Sequence, residues 1–304
     1  MTAQMIDGKR IAADIRAEVA ERARILSARG VRPGLGVVLV GDDPASQVYV
    51  RMKTRACEEA GIHARDIKPP TDIGQPELLA IVDELNADPA IHGILVQLPL
   101  PGHLDEREVT ERIDPSKDVD GFHPVNQGRM SQGDPDAFRP ATPAGVQELI
   151  RRTGVETSGA HVVIVGRSNI VGMPMSQIML QKEPGANATV TVAHSRTADL
   201  GAVTRQGEIL IVAVGRPGIV RGDMVREGAL VIDVGVNRVD DPSAARGYRL
   251  VGDVDFDEAS ERASWITPVP GGVGPMTIAM LLRNTVMSAE RTPSAAEVGA
   301  AASG

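Results

Sequence analysis

The chain has very few aromatic residues and a single cysteine. Only 2% of its 304 residues are Phe, Trp or Tyr, although 42% are hydrophobic. Its core must therefore be built mainly from Ala, Val, Ile, Leu and Met. One cysteine, Cys57, excludes an internal disulfide and fits a reducing compartment. We interpret Cys57 as a buried core residue on a helix rather than as a reactive thiol.

Basic clusters, metal-ligand patterns and membrane spans are also missing from the sequence. The net charge is −8 and no basic run occurs, so we expect no nucleic-acid partner. The six histidines form no close pair with metal-ligand spacing, so we predict no metal site. The N-terminus lacks a signal-peptide layout, and the longest uncharged stretch, 263–282, is broken by prolines and glycines. We expect a cytoplasmic protein that binds no membrane.

Strand-like and helix-like segments alternate along the chain. Buried strands are predicted at 34–41 and 93–98, with helices at 44–60 and 75–85, and four more apolar strands follow at 161–165, 189–192, 209–214 and 230–234. Continuous β-branched runs separated by helices indicate parallel sheets covered on both faces. We predict a doubly wound α/β fold in two domains, 1–143 and 144–275. A helix at 276–290 returns to the first domain, and 291–304 form a disordered tail.

The segment Thr267–Thr277 contains three prolines and three glycines in eleven residues. This composition predicts neither helix nor central strand, and a helical pattern begins only at Ile278. A loop that is stiff at its prolines and bare at its glycines lets backbone amides approach a flat or anionic ligand. Composition alone does not distinguish such a binding loop from an inter-domain hinge.

A dinucleotide-binding pattern follows the strand that ends at Val165. Gly166–Pro174 provides a glycine turn and a helix entrance, although Ser168 replaces the second glycine of the usual motif. The next strand leads into Ser195 and Arg196, where an NAD site usually has an acid. Two arginines, Arg167 and Arg196, and a hydroxyl suit a 2′-phosphate, so NADP is favoured over NAD. We interpret Asp199 as a helix first-turn residue rather than as the ribose ligand. Alternatively, the two arginines only solvate a sheet edge.

Three polar residues share one face of the helix predicted at 44–60. Ser46, Tyr49 and Lys53 stand at i, i+3 and i+7. A tyrosine and a lysine one turn apart at a pocket rim can orient a substrate and move a proton. We expect the adjacent face, which packs on the sheet, to contain Val48, Met52, Ala56 and Ala60. The alternative is that Lys53 is a solvated surface lysine.

Two further segments favour a reaction site near this helix. Gln97 is a polar residue at the end of an apolar strand, where ligands of parallel sheets usually bind, and a lysine is a suitable partner for its amide. Asp120, in the stretch Lys117–Gly121, could pair with the amidine-like edge of a heterocycle. Asp118 and Asp120 are otherwise ordinary turn formers.

Taken together, these segments resemble the bifunctional methylenetetrahydrofolate dehydrogenase/methenyltetrahydrofolate cyclohydrolase family. The resemblance covers about residues 5–287. The matching stretches are 40–46 with Tyr49 and Lys53, 93–101, 117–121, 166–172, 233–237 and 268–277. It implies a homodimer that holds folate in a cleft between an N-terminal catalytic domain and a Rossmann-like NADP domain. The implied substrates are tetrahydrofolate one-carbon derivatives, whose formyl product serves purine biosynthesis.

The same resemblance implies residue roles. Lys53 is the expected catalytic lysine, Gln97 its partner, Tyr49 the residue that positions folate, and Asp120 the pterin anchor. The implied substrate contacts are Ser46, Tyr49, Gln97, Leu98, Asp120, Pro268, Pro270, Gly271 and Gly272. The implied cofactor contacts are Gly166, Arg167, Ser168, Ile170, Ser195, Arg196, Val236 and Thr277.

Two positions depart from the family pattern, and both departures are conservative. Ala141 replaces a cysteine that many relatives have, and Val236 replaces a common isoleucine. Two alternative functions remain: another two-domain NADP oxidoreductase, such as a shikimate dehydrogenase-like enzyme, or a folate-binding protein without turnover.

Overall fold

The computed structural model describes residues 2–244 and 247–292. In chain order, the elements up to residue 153 are β1 (Gln4–Met5), α1 (Gly8–Ala28), β2 (Gly34–Val38), α2 (Pro44–Glu59), β3 (His63–Ile67), α3 (Gln75–Ala87), β4 (Gly93–Val96), α4 (Glu106–Arg112), α5 (Pro124–Ser131) and α6 (Ala141–Thr153). Those that follow are β5 (His161–Val165), α7 (Gly172–Leu180), β6 (Thr189–Ala193), α8 (Leu200–Thr204), β7 (Ile209–Val212), β8 (Leu230–Asp233), β9 (Asn237–Asp240), β10 (Tyr248–Val251), α9 (Phe256–Ser260), β11 (Trp265–Ile266) and α10 (Val273–Glu290).

The described chain divides into two compact units. The three-strand unit comprises Ala13–Arg129, Asp136–Ala141 and the described residues from Ile278 onward. The six-strand unit comprises the described residues up to Ala12, Met130–Pro135 and Thr142–Thr277. Within the described residues, no helix combines the length and hydropathy needed to cross a membrane.

The three-strand unit is built on a small parallel sheet in the order β3-β2-β4. Strand β2 is buried along its whole length, as its apolar sequence predicts. Helix α2 follows, and Asp43 caps it by accepting a 2.7 Å hydrogen bond from the backbone N–H of Ser46. Pro44 occupies the first helical position and Gly61, with φ of 73°, lies just past the end, positions that these residue types favour, and the helix predicted at 44–60 is confirmed to within one residue.

The six-strand unit contains a parallel sheet in the order β1-β11-β8-β7-β5-β6. From β5 the chain moves to β6 at one edge and then to β7 on the other side of β5. The strand order therefore reverses between β5 and β7, which is the point where doubly wound sheets bind their ligands. Aliphatic residues such as Val163, Leu210 and Val231 form a fully buried core in this unit. The predicted α/β class with a Rossmann-like parallel sheet is confirmed.

Three predicted boundaries differ from the structure. Residues 2–12 and Met130–Pro135, assigned from sequence to the first domain, belong to the six-strand unit, where β1 pairs in parallel with β11. Helix α10 begins at Val273, three residues before the predicted start, and Pro275 lies in its first turn, where a missing N–H costs nothing. Residues 293–304 of the predicted tail lie outside the described residues.

Candidate active site

Lys53 and Gln97 form a direct side-chain pair in the three-strand unit. Lys53 is only 8% exposed on α2, and its Nζ donates a 3.0 Å hydrogen bond to Oε1 of Gln97. Gln97 follows β4, and its Nε2 donates to the Leu98 carbonyl at 2.7 Å. This second bond fixes the amide so that its oxygen faces the lysine. The carboxyl end of β4 thus holds the amine of Lys53 in one place.

The segment Lys117–Gly121 runs beside β4 and brings Asp120 to the lysine. The backbone N–H of Ile94 donates to the Lys117 carbonyl at 2.8 Å, and Ile94 forms a parallel bridge with Asp118. Gly121 ends the segment with φ of 73°, and a Cβ there would lie 2.6 Å from the backbone of Arg139. Only glycine therefore fits this turn, which places Asp120 close enough for its charge to act on Lys53.

Burial shifts the acidities of both charged groups. It lowers the pKa of Lys53 by disfavouring the ammonium form, and the negative charge of Asp120 only partly opposes this. Although Asp120 is half-buried, desolvation raises the pKa of its carboxyl to about 6, against the opposing effect of Lys53. Such opposed shifts within one cluster are typical of sites that transfer protons.

The remaining residues of α2 that were singled out from the sequence differ in their burial. Burial raises the pKa of Cys57 to about 12, so the predicted interpretation of this thiol as an inert core residue is confirmed. Ser46 is buried beside the helix start, whereas Tyr49 is 47% exposed at the edge of the same face. The apolar face predicted to pack on the sheet is partly wrong. Val48 and Met52 are about half exposed, whereas Ala56 and the C-cap residue Ala60 are buried as predicted, and Val50 is buried as well.

Asp118 forms the turn, as the turn-former interpretation predicted, whereas the roles of Lys117 and Asn284 in shaping the Asp120 segment were not predicted. Asp118 is 1% exposed and accepts backbone hydrogen bonds from Gly121, Phe122 and His123. Lys117 donates to three carbonyls at the end of α3. From α10, Asn284 donates to the carbonyls of Val119 and Arg139 at 2.8 and 3.0 Å. All of these bonds hold backbone, so residue types in the sequence give no direct signal for them.

In the six-strand unit, the predicted glycine turn follows β5. Gly166 has φ of 128°, and a Cβ there would overlap the carbonyl oxygen of Ala213. A Cβ on Gly172, at the start of α7, would overlap the carbonyl of Gly166, so close helix–strand packing requires both glycines. Ser168 uses its Oγ to accept a 3.2 Å bond from the Val171 N–H. The serine therefore stabilises the turn from the position of the missing glycine.

The second half of the predicted dinucleotide site lies on the neighbouring strand. β5 and β6 pair with Val165 opposite Ala193, so the Gly166 turn and the segment after β6 emerge side by side. His194 and Thr197 close that segment, the imidazole accepting from the Arg196 N–H at 3.1 Å. Arg167, Ser195 and Arg196 are exposed there. Asp199 is the N-cap of α8, one position before the predicted first turn.

The donors at this edge fit a dinucleotide with a 2′-phosphate. Two guanidinium groups, of Arg167 and Arg196, and the hydroxyl of Ser195 are exposed there, and no carboxylate follows β6 before Asp199. Ile170 and Val236 are each 46% exposed. Thr277 is committed to a 2.9 Å hydrogen bond with Thr142.

The Pro/Gly loop belongs to the six-strand unit, whereas Lys53, Gln97 and Asp120 belong to the three-strand unit. Its Gly272 N–H donates to the Pro268 carbonyl at 2.9 Å, the Val269–Pro270 bond is cis, and Gly271 has φ of 111°. A Cβ on Gly8 would overlap the Gly272 carbonyl, so the loop packs tightly on the start of α1.

A cavity of about 540 Å³ opens at the amino ends of β5, β7 and β8, beside Glu156, Glu208 and Arg226. Ligands of doubly wound sheets bind at the carboxyl ends of the strands, so this cavity lies at the wrong edge for the cofactor.

Comparison with known proteins gives full-length matches. Residues 6–120 match a family model described as the tetrahydrofolate dehydrogenase/cyclohydrolase catalytic domain, and residues 140–293 match the NAD(P)-binding domain of the same family. The chain is 56% identical to bifunctional protein FolD 1 of Myxococcus xanthus, over 95% of this chain and 99% of the relative.

Two solved structures share this fold throughout. The bifunctional FolD methylenetetrahydrofolate dehydrogenase/cyclohydrolase of Campylobacter jejuni is 49% identical, with a TM-score of 0.90 over 95% of this chain and 99% of that one. The Trypanosoma brucei enzyme, solved with NADP cofactor and inhibitor, is 42% identical with a TM-score of 0.90 over 96% and 98%. The predicted class, a bifunctional dehydrogenase and cyclohydrolase, is confirmed, and the shikimate dehydrogenase-like alternative is not favoured. The chain belongs to the tetrahydrofolate dehydrogenase/cyclohydrolase family.

Proposed function

We propose that Lys53, Gln97 and Asp120 line the folate site for both reactions of this chain, and that the buried Lys53, held by Gln97 and faced by Asp120, transfers the proton in the hydrolysis. The first reaction oxidises 5,10-methylenetetrahydrofolate to the methenyl cation, and the second hydrolyses that cation to 10-formyltetrahydrofolate. The observation that carries the assignment is the 3.0 Å bond from the nearly buried Lys53 amine to Gln97, together with the lowered pKa of that amine.

In the cyclohydrolase step, Lys53 transfers the proton. Water adds to the bridge carbon of the cation, and the proton released from the water passes to the neutral amine of Lys53. The bond from the bridge carbon to N5 then breaks and the ammonium returns its proton to N5. The remaining hydroxyl proton leaves to solvent as the carbinol oxygen becomes the formyl carbonyl. A lowered lysine pKa increases the neutral fraction that can accept the first proton.

In the dehydrogenase step, the chain aligns its substrate. NADP, when bound, accepts the hydride from the bridge carbon. No proton leaves that carbon, so alignment matters more than a strong base. Tyr49, half exposed at the edge of the α2 face that carries Lys53, is suited to stack on the flat folate. Asp120 is the proposed anchor for the amidine-like edge of the pterin.

The cofactor is NADP, and we propose that the segments after β5 and β6 hold it. Arg167, Ser195 and Arg196 are the proposed ligands of the 2′-phosphate, since an arginine fork matches phosphate geometry. The remaining proposed contacts to the cofactor are Gly166, Ser168, Ile170, Val236 and Thr277. Those to folate are Ser46, Leu98, Pro268, Pro270, Gly271 and Gly272.

We also propose that the three-strand unit is the folate-binding domain, that the six-strand unit is the NADP domain, and that two chains form a homodimer. The family resemblance supports these assignments. The single buried cysteine supports a cytoplasmic location. Light scattering during size exclusion tests the dimer, and a mass of one chain would contradict it.

A turnover assay tests the proposed function directly. The purified chain is expected to reduce NADP with 5,10-methylenetetrahydrofolate, to hydrolyse added methenyltetrahydrofolate, and to leave shikimate unoxidised. Binding of folate without turnover in either assay would instead support the alternative of a non-catalytic folate-binding protein.

A further inference from the structure

Asp253 is fully buried in the six-strand unit, and it is not one of the residues assigned to either reaction. Its carboxylate accepts four hydrogen bonds. Oδ2 accepts from the backbone N–H groups of Val214 and Gly215 at 2.6 and 2.8 Å. Oδ1 accepts from the Arg216 N–H and from Nδ2 of Asn237, both at 2.8 Å. Both oxygens of this buried anion are therefore committed to neighbouring segments of the chain.

The segments that Asp253 holds follow two central strands. Val214–Arg216 comes just after β7, and Asn237 comes four residues after the end of β8, next to the exposed Val236. Both segments therefore lie at the carboxyl ends of strands on the β7 side of the point where the strand order reverses. Because the adenosine ribose of a dinucleotide lies toward the strand after the glycine turn, here β6, its nicotinamide half extends toward β7 and β8.

A second buried aspartate, Asp233, accepts hydrogen bonds from the backbone of the same region. Asp233, at the end of β8, is 4% exposed and accepts backbone bonds from Gly235, Asp253 and Val254. The two aspartates lie against glycines that no other residue could replace. A Cβ on Gly235 would overlap the carboxylate of Asp253, and one on Gly252 would overlap that of Asp233. Glycine at these two positions thus leaves the space that the two buried carboxylates occupy.

We propose that Asp253 is a positioning residue for the nicotinamide half of the dinucleotide, acting through the Val214–Arg216 loop and through Asn237. The inference rests on the proposed cofactor site. Three successive amides of this loop donate to Asp253, so they are not available to a phosphate, which fits the nicotinamide end better than the pyrophosphate. A Cβ on Gly215, with φ of 75°, would meet open space, so the outer side of the loop is accessible to a ligand.

Calorimetric titration with NADP and with 2′,5′-ADP tests this inference. The second ligand has the adenosine and 2′-phosphate but lacks the nicotinamide half. Asp253→Asn replaces an acceptor oxygen by a donor amide that faces N–H groups. We expect it to weaken NADP binding about tenfold or more, the scale of a lost charge-assisted hydrogen bond, and to change 2′,5′-ADP binding less than about twofold.

The matched control is Asp255→Asn, two residues away, because Asp255 only caps α9 and asparagine caps equally well. If Asp253→Asn does not fold, Asn237→Ala removes one of the four donors, and the same two titrations decide. Equal loss of both ligands, or loss of neither, would overturn the inference. Failure of the wild-type chain to bind NADP would instead overturn the proposed cofactor site, so the two failures are distinguishable.

Discussion

At the scale of single residues, the amine of Lys53 can be tested by a change that keeps its charge. Lys53→Arg retains the cation, but a guanidinium does not give up its proton near neutral pH. We expect cyclohydrolase turnover to fall by roughly 10² or more, the usual scale of general acid–base catalysis, and dehydrogenase turnover to fall less. Both rates are measured on the same purified protein.

The matched control is Lys68→Arg at an exposed lysine, which should leave both rates unchanged. An equal loss in both reactions would make Lys53 a residue that only binds substrate. Wild-type rates in both would return it to the role of a structural lysine.

Substitution of Asp120 is expected to affect the binding of one ligand only. We expect Asp120→Asn to weaken folate binding in both reactions, because the anionic anchor is lost, and to leave NADP binding unchanged. Calorimetry with each ligand measures this, and a selective loss of NADP binding would show that the residue is misassigned.

The same variant has a predicted pH-dependent effect on the melting temperature. Folding raises the pKa of Asp120 from 3.8 to about 6, so the folded state binds this proton more tightly than the unfolded state. The carboxylate therefore costs stability above about pH 6, and the cost disappears as the pH falls toward 4. Asp120→Asn should melt higher than wild type at pH 8, with a smaller difference at pH 5. A lower melting temperature at pH 8 would contradict this.

Residues whose type stands out locally in the sequence could be predicted, whereas contacts that depend on distant segments could not. Gln97 was predicted because a polar residue stands out in an apolar strand, and its pairing with Lys53 is confirmed. Asp118 looked like an ordinary turn former, and it does form the turn. The burial of its carboxylate depends on tertiary packing that residue spacing does not encode. The same holds for the hydrogen bonds of Asn284, which lies 165 residues after Val119 and 145 residues after Arg139, the two residues whose carbonyls it binds.

At the scale of elements, the start of α2 sets the position of Lys53. Asp43→Ala removes the acceptor of the 2.7 Å cap bond and should lower the free energy of unfolding by about 1 kcal/mol. Urea denaturation measures it, and Asp43→Asn, which can still accept the bond, should stay close to wild type. Unchanged midpoints for both variants would show that the cap does not stabilise the helix.

Element positions were predictable where a local signal was strong. The strand at 161–165 follows from its apolar run, and the start of α2 follows from the Asp-Pro pair. The edge strand β3, His63–Ile67, was missed because its polar sequence is partly exposed and gives no apolar run. Strand β1 was missed because two residues carry no periodicity, and only pairing with β11 defines it.

At the scale of the whole molecule, cofactor choice should appear as ligand-linked stability. A ligand that binds only the folded chain raises its stability by about 2.7 kcal/mol at a concentration one hundred times its dissociation constant. We expect NADP to raise the melting temperature well above that with NAD at the same concentration. Arg167 and Arg196, exposed beside the Gly166 turn and after β6, are the residues expected to distinguish the two cofactors, because only NADP offers them a 2′-phosphate.

Arginine variants assign that difference to the 2′-phosphate. Arg167→Ala and Arg196→Ala should each reduce the NADP-induced shift and leave the smaller NAD shift unchanged, since one charge-assisted contact contributes about 1.5–3 kcal/mol. Arg226→Ala is the matched control, because this arginine pairs with Glu208 at the amino ends of β7 and β8, at the opposite edge of the same sheet. Equal shifts with NADP and NAD in the wild-type chain would contradict the cofactor preference. A loss of the NADP shift in Arg226→Ala as well would mean that the effect comes from general charge rather than from this edge of the sheet.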